Sequence, residues 1–190
     1  MKSLPAINAD WTLFLDRDGV INEEKENDYV YDYSEFHFLP GVHEAMQLLS
    51  GIFSRIILVT NQRGVGRGLM TEAALLKIHE QMLQELKKHG GRIDRIYYCT
   101  VNDNANPNRK PNPGMAFQAR EDFPEIDLKQ ALMVGNNLSD MAFGKNAGMQ
   151  TVHVFTTMPE FTSPHPLIDY AYPDLLHFAR AVAEQRSITP

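Results

Sequence analysis

The sequence predicts an α/β fold, a parallel sheet with helices on both faces, and two observations carry that prediction. Apolar, β-type runs recur at residues 12–15, 55–60, 95–99, 131–134 and 151–155, and helical patterns fill most of the intervals between them. Strands that alternate with helices are joined by crossovers, which makes the strands parallel and covers both sides of the sheet. With 190 residues, 43% of them hydrophobic, the chain can bury a full core and reads as one domain over residues 1–190.

The elements follow in order. Residues 12–15 form a first strand that stops abruptly on Asp16-Arg17-Asp18-Gly19. Residues 22–38 are polar, and Tyr29, Tyr31, Tyr33 and Phe36 can pack them as an ordered flap. A short helix at 41–49 precedes the second strand, which ends on Thr60-Asn61-Gln62-Arg63. The clearest helix follows Met70-Thr71-Glu72: Leu75, Ile78, Met82 and Leu86 share one face, Thr71 caps the start, and Lys87-Lys88-His89-Gly90-Gly91 marks the stop. That stripe reads as core. The third strand leads into residues 102–113, dense in Asn and Pro, then a helix at 114–120. The fourth strand ends on Gly135-Asn136-Asn137, with a helix at 140–147, and a last short strand at 169–171 and a helix at 173–183 close the chain. Glu23-Glu24-Lys25-Glu26 and Lys87-Lys88 read as solvated faces.

Composition excludes several classes. No stretch is apolar enough to span a bilayer and Met1-Lys2-Ser3-Leu4-Pro5 lacks a signal-peptide core, so a cytoplasmic protein with no membrane partner is expected. The formal charge of −6 argues against non-specific nucleic-acid binding, which needs a positive face. Cys99 is the single cysteine, which rules out an internal disulfide and a multi-cysteine zinc site.

Asp-x-Asp-Gly alone reads equally well as a strand-ending turn, because Asp side chains bond nearby backbone. A calcium loop fails, since Val20 and Ile21 stand where an oxygen ligand and a glycine are required. Three later clusters at strand ends change the balance: Thr60-Asn61-Gln62-Arg63, Arg109-Lys110-Pro111, and Asn136-Asn137 with Asp140. All four have a task if the substrate is a phosphate ester. A carboxylate, Asp16, can attack phosphorus and divide one displacement into two. A second, Asp18, can protonate the leaving alkoxide and then take a proton from water. A hard cation between carboxylates and phosphate suits magnesium, while Thr60 and Lys110 can neutralise the phosphoryl oxygens.

In these motifs the chain resembles the haloacid dehalogenase (HAD) superfamily of phosphohydrolases. Phe14-Leu15-Asp16-Arg17-Asp18-Gly19-Val20-Ile21-Asn22, Thr60-Asn61-Gln62-Arg63-Gly64-Val65-Gly66-Arg67-Gly68, Arg109-Lys110-Pro111-Asn112-Pro113-Gly114-Met115 and Val134-Gly135-Asn136-Asn137-Leu138-Ser139-Asp140 appear in the family's order. Their form is similar to the branch of heptose bisphosphate and histidinol-phosphate phosphatases, and the likeness covers residues 10–183. The resemblance implies a Rossmann-like fold with a minimal cap or none, Asp16 as nucleophile, Asp18 as acid/base and, through its backbone carbonyl, a magnesium ligand, and Thr60 and Lys110 holding the phosphate. Asn61, Gln62, Arg63 and Arg109 stand where relatives touch substrate. Arg63 replaces a residue more usually small; it either reaches a second anionic group or narrows the pocket, and Arg67 either does likewise or is a surface arginine.

Two departures from the family matter. Its heptose branch carries a zinc loop built from cysteines and a histidine, of which only Cys99 remains, so no structural zinc is expected. Asn136 stands where the family places a magnesium-binding aspartate; with Asp16 and Asp18 it forms the expected metal set, and Asp140 can compensate directly or through water. The expected activity is magnesium-dependent hydrolysis of a small phosphorylated metabolite by a monomer. The leading substrate is D-glycero-D-manno-heptose 1,7-bisphosphate; the alternatives are histidinol phosphate and a catalytically impaired protein that binds a phosphate ligand.

Overall fold

The computed structural model describes residues 3–157 and 165–188, so the reading of the N-terminus lies partly outside them. Six parallel strands, β1 (Thr12–Leu15), β2 (Arg55–Asn61), β3 (Arg95–Cys99), β4 (Ala131–Gly135), β5 (Gln150–Val154) and β6 (Tyr170–Tyr172), form one sheet in the order β3-β2-β1-β4-β5-β6. The sequence order reverses at β1, and the loops leaving β1, β2 and β4 open onto that switch point, the usual place for a ligand in such sheets.

The helices are α1 (Val42–Ser50), α2 (Arg63–Gly66), α3 (Glu72–Lys88), α4 (Gly114–Asp122), α5 (Leu138–Ala147) and α6 (Leu175–Ile188). Strand residues alternate between two buried layers, as a pleat with both faces covered requires. Leu13, Leu15, Ile56, Leu58, Leu132 and Val134 pack with α1, α3 and α6. Phe14, Ile57, Val59, Ala131 and Met133 pack with α4 and α5. The expected stripe of α3 is buried, and Thr71 Oγ1 accepts from Ala74 N–H at 3.1 Å. Among the described residues no helix is long and apolar enough to cross a membrane.

Differences from the sequence reading lie at element ends. The strand expected to stop at Thr60 runs to Asn61 and turns into α2, a short helix the pattern of 3.6 residues is too long to detect. The fourth long helix starts at Leu138 rather than 140, because Asn137 and Asp140 form a capping box across its first turn. The flap contains a 3₁₀ turn at Tyr33–Glu35, with Tyr33 stacked on Phe36 at 5.5 Å and Phe36 edge-on to Phe38 at 5.1 Å.

Candidate active site

β1 hydrogen-bonds one residue past its end, Asp16 N–H donating to Val134 O at 3.0 Å, so Asp16 is held at the edge of the sheet. The chain then turns at Gly19, whose φ of +78° suits only glycine and whose absent Cβ would lie 2.1 Å from Asn136 Nδ2. Arg17 N–H donates to Asp16 Oδ1 at 2.7 Å, which fixes the carboxylate. The Lys110 ammonium reaches Asp16 Oδ1 at 2.9 Å, Asp140 Oδ1 at 2.7 Å and Val59 O at 2.9 Å, so three acceptors surround its three protons. Lys110 is placed by its neighbour in the fold: Asn61 accepts from Lys110 N–H and donates to Lys110 O, both at 3.0 Å.

Burial first, and then the Asp140 charge, push the Asp16 carboxyl up to about 7 against the pull of Lys110. Lys110 resists its own burial because Asp140 and Asp16 hold it above the ordinary lysine range. Asp18 faces the opposite balance. Burial works to raise its carboxyl, but the Arg17 charge and hydrogen bonds from Arg17, Asn22 and Gln62 together hold it below the usual range. Arg17 Nη2 meets Asp18 Oδ1 at 2.7 Å and Oδ2 at 2.9 Å, Asn22 Nδ2 donates to Oδ1 at 2.9 Å, and Gln62 Nε2 bridges Asp18 Oδ2 at 3.0 Å and Thr60 Oγ1 at 2.9 Å.

Asp16, Asp18, Thr60, Lys110 and Asp140 line a cavity of about 620 Å³ together with Glu24, Asn61, Arg63, Asn104, Arg109 and Ser139. The fold therefore brings Asp16, Asp18, Thr60, Asn61, Arg63, Arg109, Lys110 and Asp140 together. Gln62 is buried beneath the lining as a brace, and Arg67 is exposed, near enough for its charge to bear on Arg109. Asn136 is fully buried behind the lining; its Nδ2 donates to Glu24 Oε2 and Thr157 Oγ1, both at 2.7 Å, and its Oδ1 makes no hydrogen bond. A buried, unpartnered amide oxygen against Gly19, the residue after Asp18, fits a hard cation.

A buried carboxylate, Asp16, stands against Lys110 at the switch point of this sheet, and the comparisons decide the family. A relative from Campylobacter jejuni, D-glycero-alpha-D-manno-heptose-1,7-bisphosphate 7-phosphatase, is 39% identical over 140 residues, 74% of this chain and 79% of its own. The chain belongs to the HAD-like phosphatases. The HAD-hydrolase-like family model matches residues 107–176. A Salmonella typhi relative named for the beta anomer, D-glycero-beta-D-manno-heptose-1,7-bisphosphate 7-phosphatase, is 35% identical over 97% of this chain and 98% of its own. The crystal structure of D,D-heptose 1,7-bisphosphate phosphatase from B. bronchiseptica with magnesium and phosphate superposes with a TM-score of 0.82 at 30% identity, covering 92% of this chain and 99% of that one. This HAD-like phosphatase is thus a phosphoric monoester hydrolase, and the impaired-homologue alternative is not favoured.

Three residues escaped the sequence reading. Arg17 is 1% exposed and clamps Asp18, with Nη1 3.3 Å from His79 Nε2. His79 lies on the buried side of α3, where burial and then Arg17 depress its imidazole to about 3. Glu24, expected on a solvated face, instead lines the cavity and bonds Asn136; burial and then the charges of Asp18 and Asp140 push its carboxyl up despite that bond. The Asp-Arg-Asp spacing is the one signal that pointed at Arg17. Nothing local marks the other two, whose partners are 62 and 112 residues away. The loop that lacks the cysteines is held by amides: Asn112 Nδ2 donates to Asn104 O and Asn106 O, and Arg109 Nε to Asn104 Oδ1.

Proposed function

We propose that this phosphatase removes one phosphate from a sugar bisphosphate, with a D-glycero-D-manno-heptose 1,7-bisphosphate as substrate, through an aspartyl-phosphate on Asp16. The observation that carries the substrate class is the wall of the cavity. Arg63 and Arg109 line it, Arg67 adds its charge, and among the described residues no carboxylate pairs with any of the three. Unpaired guanidinium groups beside a phosphate-cleaving floor suit a second anionic group on the same ligand. The named relatives act on both anomers of one heptose bisphosphate, and their identity to this chain supports the same substrate here.

In the first step an Asp16 oxygen forms a bond to phosphorus while the bond to the sugar oxygen breaks, and Asp18 gives its proton to that departing oxygen. Asp18 is anionic in the free protein; the negative charge of an incoming phosphate raises its affinity for a proton and prepares it as the acid. In the second step Asp18 takes a proton from water, the water oxygen bonds to phosphorus, and Asp16 is released. Thr60 and Lys110 hold the phosphoryl oxygens throughout, and Arg17 and Gln62 keep Asp18 in line. Asp16, Asp18 and the buried oxygen of Asn136 would hold magnesium, which supplies positive charge between the carboxylates and the phosphate. Asp140 would support that ion indirectly, because its own oxygens serve Lys110 and the Asn137 N–H.

Phosphate release measured with both heptose bisphosphate anomers, fructose 1,6-bisphosphate, a sugar monophosphate and histidinol phosphate tests the reading. The highest kcat/KM is expected for a heptose bisphosphate, abolished by chelation and in Asp16→Asn. Preference for histidinol phosphate or a monophosphate would overturn the substrate; turnover by Asp16→Asn would overturn the nucleophile.

A further inference from the structure

Away from the phosphatase cavity, α1 and the end of α3 bring three ligand-type side chains together. His43 stands in the first turn of α1, Glu85 and His89 are one turn apart at the end of α3, and one donor atom from each lies within 4.8 Å of the other two. The imidazole rings of His43 and His89 are 4.1 Å apart and tilted by 36°.

Two observations go beyond proximity. His43 Nε2 is buried and makes no hydrogen bond, an arrangement that costs free energy unless something accepts its lone pair or proton. His89 Nδ1 lies 3.0 Å from the main-chain oxygen of Glu85, and an Nδ1–H donated there leaves Nε2 as the ring's lone-pair atom. The same outer contact orients metal-binding histidines generally. Lys88 Nζ holds Glu85 Oε2 at 2.7 Å, while Glu85 Oε1 is 3.8 Å from His89 Nδ1.

We propose that His43, Glu85 and His89 form a second metal site, selective for a zinc-class divalent cation, with water completing a tetrahedral shell. Two imidazoles and one carboxylate suit such an ion, whereas magnesium takes oxygen ligands. Donors about 2.1 Å from a tetrahedral centre stand about 3.4 Å apart, so the cluster closes by at most about 1.4 Å. The cation ties the start of α1 to the end of α3. His43 also packs on Phe38 at 4.5 Å, and Phe38 continues through Phe36 to Tyr33, so the site anchors the root of the flap that carries Glu24 to the cavity. The expectation of no structural zinc rests on the cysteine count and does not bear on an imidazole site.

The test uses the full chain saturated with magnesium, titrated with Zn²⁺ by equilibrium dialysis and with Co²⁺ by visible absorption. One equivalent of Zn²⁺ is expected to bind, and Co²⁺ to give a tetrahedral spectrum that Zn²⁺ displaces. His89→Gln, an exposed substitution that leaves the fold and the magnesium-dependent activity intact, is expected to weaken binding more than about 100-fold, as is Glu85→Gln. No zinc binding, or the same stoichiometry and affinity in His89→Gln, would overturn the site and leave the two imidazoles merely stacked.

Discussion

At the floor of the cavity Asp16, Lys110 and Asp140 are nearly dry and Lys110 pairs with both carboxylates, whereas along its wall Arg63 and Arg109 have no carboxylate partner among the described residues. The floor is a closed network: each charge exists because another faces it, and removing one leaves the rest unpaired in low dielectric. The wall holds positive charge that neutral groups such as Asn104 and the Val101 carbonyl contact but do not neutralise. In the proposed reaction the chemistry is therefore built into the floor in advance, while selectivity waits for the substrate.

The largest effect that separates the two regions is Lys110→Met. Two carboxylates would then face each other without a cation, and the chain is expected to lose about 3–5 kcal/mol of stability in denaturant titrations as well as its activity. A loss below about 1 kcal/mol would show that the floor is not a closed network. Arg63→Ser, by contrast, is expected to leave stability unchanged and raise KM for a bisphosphate about 10–100-fold with little change in kcat, since one charged hydrogen bond is worth about 1.5–3 kcal/mol. An equal effect on a sugar monophosphate would remove Arg63 from the second anion's site.

A smaller effect follows from the Asp16 carboxyl at about 7 in the metal-free protein. A metal binds the deprotonated form, so apparent magnesium affinity is expected to be level above about pH 7 and to fall about tenfold per unit below it, read by calorimetry. His79 gives the mildest test. Its imidazole stays neutral in the fold to about 3, whereas the unfolded chain takes a proton near 6.5, so stability is full above about 6.5 and declines as pH falls toward about 3. His79→Gln is expected to flatten that decline; an unchanged slope would place the acid sensitivity elsewhere.

The floor was more legible in the sequence than what surrounds it. Asp16 and Thr60 stand at the ends of apolar strands that bring them to one sheet edge, Asp140 stands in the first turn of the helix after the fourth strand, and the α3 stripe with its Thr71 cap is a local pattern. His79 and Glu24 were not legible, because a polar residue on a helix or in a charged run reads as solvated until a distant partner is known. His79 and Glu24 owe their roles to chain segments that meet only when the sheet forms.

In the proposed reaction an oxygen of Asp16 bonds to phosphorus. Acid-quenching the magnesium-loaded enzyme during turnover of a heptose bisphosphate, followed by peptide mass mapping, is expected to find one phosphoryl group on the peptide that carries Asp16 and none in Asp16→Asn. Phosphate release with no such adduct, or with the adduct on another peptide, would contradict it.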